Sequence, residues 1–119
     1  MAMTRREAVA KHRAMWRWIG EQCLVQNRKI EKAEYPPIYS SKDVIRGNCY
    51  CCQYDHDGDY TGSYSKCSHC PIDWNVYADD GRCMCILRGS LYAKWSHERD
   101  PVKASEIAFK IANLPEADW

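Results

Sequence analysis

The sequence predicts a small α+β fold in which a long amino-terminal helix and a carboxyl-terminal helix flank a Cys-rich segment with short strands. Three observations lead there. Apolar residues return every seventh position at Val9, Trp16, Cys23 and Ile30; Asp100-Pro101 opens a second apolar-periodic stretch; and seven of the eight cysteines fall between those two regions, within 47–95. At 119 residues the chain matches one domain, 1–119, with roughly two-thirds of its unfolded surface available for burial.

The first element spans 1–35. Thr4-Arg5-Arg6-Glu7 is a capping-box pattern, in which Thr4 and Glu7 satisfy backbone amides that the first helical turn leaves unpaired. Met15, Trp18 and Ile19 widen the seven-residue stripe into a core-facing surface, and Tyr35-Pro36-Pro37 is the expected stop. Gly20 costs about 1 kcal/mol against Ala in a helix interior and marks where a break would fall. The last element, 100–114, begins with Asp100 as acceptor cap and Pro101 at the first helical position. Its apolar face is Ala104, Ile107, Ala108, Ile111 and Leu114. Between them, 47–95 is rich in Gly, Asp, Ser, Tyr and Cys. There the turn signal Asp80-Gly81 precedes Cys83-Met84-Cys85-Ile86-Leu87, the one expected strand.

Composition narrows the function. A single Phe is set against eight Tyr and five Trp, so much of the core must come from rings whose polar atoms need partners. Seventeen basic against sixteen acidic side chains argue against a polyanion-coating protein. Charge is uneven, however: residues 1–34 carry eight Lys/Arg and four Asp/Glu, whereas 53–81 carry one Lys and six Asp. No apolar run reaches the roughly 18 residues of a membrane span, and the first residues lack a signal-peptide core. The expectation is a cytoplasmic, reducing location, where closely spaced cysteines serve as metal ligands more often than as disulfides.

Cys49-Tyr50-Cys51-Cys52 and Cys67-Ser68-His69-Cys70 form two C-x-x-C pairs with fourteen residues between them, close to the spacing of four-cysteine Zn²⁺ sites. Each pair turns its backbone so that both thiolates face one ion, and the loop brings the pairs into a tetrahedron. Cys49, Cys52, Cys67 and Cys70 are therefore the expected ligands. A closed four-thiolate shell leaves no open position and points to structure, not metal catalysis. A two-zinc cluster is the alternative, drawing on Cys83, Cys85 and Cys51 with His69 or His56. Cys23 lies on the apolar stripe and reads as core. His12 and His97 read as solvated or capping histidines.

Other motifs fit less well. Asp55-His56-Asp57-Gly58-Asp59 has its glycine at the wrong position for a calcium loop, and Lys66 stands where the closing glutamate belongs. Pro71 follows its cysteine pair, whereas the zinc deaminase signature has the proline in front. A His-Me finger-like nuclease would use His56, but only three residues separate it from Cys52, too few for the usual hairpin. No catalytic constellation stands out, and a non-enzymatic role is expected.

Taken together, Cys49-x-x-Cys52, Cys67-x-x-Cys70-Pro71-x-x-Trp74, Cys85 and Leu91-Tyr92-x-x-Trp95 resemble small Cys-rich zinc-binding proteins encoded by bacteriophages and prophages. The resemblance implies a zinc-binding accessory protein with no activity to carry over. The expected partner is then a protein of the bacterial host, a defence component or regulator, bound through a surface rich in Tyr and Trp. Nucleic acid is the second expectation: Arg6, Arg13 and Arg17 share one side of the first helix and could contact phosphates, though three contacts support only weak binding. In either case Trp74 is expected to cover the metal thiolates, with Tyr92 and Trp95 closing the same small core.

Overall fold

A computed structural model describes residues 4–39, 50, 71–74 and 89–116. Among them are four helices: α1 (Arg5–Gln26), α2 (Pro36–Tyr39), α3 (Leu91–His97) and α4 (Pro101–Ala112). A 3-10 turn, Lys32–Glu34, precedes α2. The expected α+β class is overturned, because no sheet occurs among the described residues and the only β-type pairing is one bridge between Ile72 and Glu116. At the end of the segment 47–95, expected to hold at most short strands, residues 91–97 form a helix. Leu91, Tyr92 and Trp95 follow a helical spacing, and Ser90 caps it by accepting from the Ala93 amide at 3.0 Å. The strand expected at 83–87 lies outside the described residues.

The capping box forms as the sequence implies. The Glu7 amide donates to Thr4 Oγ1 at 3.1 Å, and the Thr4 amide donates to Glu7 Oε1 at 3.4 Å. These bonds hold the exposed Glu7 carboxyl below its usual range. The helix stops well before the proline pair, because Asn27 turns left-handed at φ 51°. Ile30, taken as the fourth residue of the helical stripe, is fully buried but sits in the connection after α1. That connection is tied down by Arg28, which pairs with both oxygens of Glu34.

Helix α4 begins as predicted, with Asp100 Oδ1 accepting from the Val102 amide at 2.9 Å and Pro101 at its start. It ends at Ala112, two residues short of the expected limit. Its register on α1 is antiparallel: Gly20 meets Ser105 and Phe109, Arg13 meets Leu114, and Arg5 meets Glu116. The helix does not break at Gly20. A Cβ there would lie 3.0 Å from the Phe109 ring, so the missing side chain is what lets α4 approach. Ser105 Oγ donates to the Gly20 carbonyl at 2.7 Å in the same buried crossing. Ala104, Ala108 and Ala112, all fully buried, keep the rest of the α4 face small.

The core beside this crossing is aromatic. Trp16 and Trp95 are each 2% exposed and meet edge to face at 4.8 Å between centroids. Tyr92 stacks on Trp95 at 5.9 Å and 20°, and Trp74 joins it at 6.5 Å. Trp74, Tyr92 and Trp95 thus meet in one cluster built against α1, while the thiolates that Trp74 was expected to cover lie outside the described residues. No helix among the described residues is long and apolar enough to cross a membrane.

Candidate functional site

The cysteines expected to hold zinc, Cys49, Cys52, Cys67 and Cys70, lie outside the described residues, as do Cys51, Cys83, Cys85, His56 and His69. What the structure describes here is one residue inside the first pair, Tyr50, and the chain that follows the second pair, residues 71–74. Tyr50, next to Cys49, is 4% exposed, and the Lys11 ammonium lies 5.8 Å from its ring centroid. On the other side Pro71 and Ile72 are fully buried, the Asp73 amide donates to the Pro115 carbonyl at 3.0 Å, and Trp74 is 3% exposed. The Trp74 ring meets His12 edge to face at 5.6 Å. Lys11 and His12 are consecutive residues of α1, so the two flanks of the cysteine region return to one turn of that helix. Among the described residues alone, no group of three or more His, Cys, Asp or Glu could hold a metal ion.

His12 departs from expectation. Its imidazole is fully buried between Trp16 and Trp74, where a solvated or capping histidine was expected. A sequence signal existed: His12 is three residues after Val9 and four before Trp16, on the apolar stripe itself. His97 is exposed in the last turn of α3, in keeping with a solvated role. Cys23 is fully buried in the core cluster, and burial pushes its thiol above the ordinary cysteine value. Tyr50 is likewise pushed up, first by burial and then by nearby Tyr35.

The arginines expected to share a face differ in availability. Arg6 and Arg17 are exposed on α1, but Arg13 is half-buried and donates to the Leu114 carbonyl at 3.3 Å. That carbonyl lies just beyond the end of α4, where a cation is favoured. Arg13 is thus engaged in joining the carboxyl-terminal segment to α1.

Three large apolar side chains among the described residues are exposed. Leu24, Val25 and Val102 are 54%, 76% and 51% exposed. The antiparallel register sets Gly20 beside Ser105, so one further turn of α1 and one earlier turn of α4 bring Leu24, Val25 and Val102 to the same end of the helix pair.

The described residues define a small helical domain with an aromatic core, to which the flanks of a cysteine-rich region are anchored. No protein-family model matches the chain, and neither any curated protein nor any solved structure does.

Proposed function

We propose that the chain is a zinc-stabilised accessory protein of the bacteriophage type that acts by binding a protein of the bacterial host, with no catalysis of its own. The observation that carries protein binding is the set of exposed apolar side chains, Leu24, Val25 and Val102, at one end of a tightly packed helix pair. Exposed apolar groups on a rigid support bind at low ordering cost.

Zinc enters through the chemistry of the donor set. Cys49, Cys52, Cys67 and Cys70 would hold the ion, which would supply folding free energy to a segment with little apolar material of its own. Support comes from Tyr50, inside the first pair, and Trp74, four residues after the second, which meet adjacent residues of α1 and so bring both pairs near one turn of that helix. A loop fixed at both ends needs less entropy to bring two cysteine pairs together.

Nucleic-acid binding is the second reading, favoured by exposed Arg6 and Arg17 and weakened by the engagement of Arg13. One experiment separates the two: affinity capture from bacterial lysate, with and without nuclease, using the wild-type chain and a Leu24→Ser/Val25→Ser variant. The proposal expects a defined protein that survives nuclease treatment and is lost with the variant. Capture abolished by nuclease, unaffected by the Ser substitutions and lost on Arg6→Glu/Arg17→Glu would replace it with the nucleic-acid reading.

A further inference from the structure

The connection after α1 makes an unusual set of contacts with α3. Lys29 Nζ donates to the Trp95 carbonyl at 2.6 Å and to the Glu98 carbonyl at 2.7 Å, and it lies 4.3 Å from the Trp95 ring centroid. One ammonium therefore satisfies two carbonyls at the carboxyl-terminal end of the helix and also faces the ring of the same helix's buried anchor. Lys32 Nζ lies 4.5 Å from the Tyr92 centroid, so each ring of the stacked Tyr92–Trp95 pair carries a cation from the same connection.

We infer that α3 is a latched helix, held to the domain by Lys29 and able to open as a unit while the α1–α4 pair stays folded. Four features support it. At seven residues α3 is too short to be helical without tertiary contacts, so undocking and unwinding are one event. It packs on α4 and, through Tyr92 and Trp95, on Trp16 of α1, whereas the larger α1–α4 crossing at Gly20, Ser105 and Phe109 is formed without it. Its amino-terminal end is capped from within by Ser90; at its other end the Trp95 carbonyl accepts from the Glu98 amide and also from Lys29, which comes from a distant part of the chain and binds the Glu98 carbonyl as well. Finally, Gly89 precedes Ser90 at φ 88°, a backbone state that glycine adopts freely, and no described residue lies within 4 Å of the position a Cβ would take, which gives the helix a permissive joint at its start.

Opening would uncover Trp16 and Trp95, which are closed against each other in the docked state. Burial pushes the Lys29 ammonium below its ordinary value, yet the two carbonyl acceptors and the ring all favour the charged form. The docked helix is therefore sensitive to loss of this one charge.

Amide hydrogen exchange tests the inference on the intact zinc-loaded chain. In the unaltered protein, amides of α3 should exchange at least about tenfold faster than those of α1 between Met15 and Cys23. Lys29→Met keeps most of the stem and removes the charge and donors; it should speed α3 exchange by a further factor of about ten or more, since two charge-assisted bonds are lost. Exchange at the α1 centre should change by less than about threefold. Lys29→Arg, which keeps charge and donors, should stay close to wild type. Equal exchange of α3 and α1 in the unaltered protein would overturn the inference, as would a Lys29→Met effect spread evenly over α1, α3 and α4. Should Lys29→Met not fold, the wild-type comparison still decides.

Discussion

Replacing Gly20 by Ala should lower stability even though alanine is the better helix former, and the sign should reverse when the Phe109 ring is removed. The added Cβ would stand 3.0 Å from Phe109 Cε2 and Cζ and 3.1 Å from Cε1. Carbon atoms in contact prefer about 3.5–4.0 Å, so the ring or the α4 backbone must withdraw by roughly half an ångström or more. Withdrawal of the backbone would stretch the 2.7 Å bond from Ser105 Oγ to the Gly20 carbonyl. Overpacking of this kind costs about 1–3 kcal/mol, while the helix-propensity gain of Ala over Gly is about 1 kcal/mol. The expected net loss is about 1 kcal/mol in urea unfolding of the purified protein. In a Phe109→Ala background the overlap is gone, and Gly20→Ala should stabilise by about 0.5–1 kcal/mol. The coupling between the two sites is then about 1.5–2 kcal/mol. If Gly20→Ala stabilises the wild type, or destabilises both backgrounds equally, the close crossing is not what requires glycine here.

Other outcomes are equally specific. Ser90→Ala removes a buried hydroxyl that accepts from the Ala93 amide at 3.0 Å; it should cost about 1–2 kcal/mol, read from thermal unfolding. Stability should fall as pH rises through the alkaline range, because burial raises both Cys23 and Tyr50 above their ordinary values of 9.0 and 10.0. The sign follows from linkage: the unfolded chain releases these protons at lower pH than the native state does, so their contribution is full below about pH 9 and is lost above it. Denaturation at stepped pH checks this, and Cys23→Ala should flatten the slope. An unchanged slope in that variant would mean that Cys23 does not contribute. Cys67→Ser or Cys70→Ser should abolish soluble folding, whereas Cys23→Ser should be much milder; tolerance of both zinc-pair changes would remove Cys67 and Cys70 from the ligand set.

How much was legible in the sequence depended on whether the signal was local. Thr4 with Glu7, and Asp100 with Pro101, act within one turn of their own chain, and both helix starts fall where those residues imply. The end of α1 is less legible, because Asn27 adopts a left-handed conformation that asparagine tolerates but does not require. Ile30 continued the seven-residue spacing by occupying the core from outside the helix, which periodicity cannot distinguish. Gly20 was read through propensity alone, while its actual role is set by Phe109, far away in sequence. His12 was judged by its titration chemistry although its position on the stripe pointed inward. The helix α3 lies in a segment read only as Cys-rich with short strands, and it docks through Trp16 and Lys29, both distant in sequence. Of the candidate site, the flanking aromatics Tyr50 and Trp74 are anchored on α1, and the thiolates between them rest on spacing.

Whether Cys49, Cys52, Cys67 and Cys70 bind one structural zinc, as proposed, is tested most directly by elemental analysis of the purified chain with parallel thiol titration. About one zinc per chain should survive gel filtration, with the four ligand thiols protected until a chelator strips the metal and unfolds the protein. Two equivalents would replace the single site by a cluster that includes Cys83, Cys85 and His69. A chain that carries no zinc and has its cysteines paired as disulfides would contradict the claim outright.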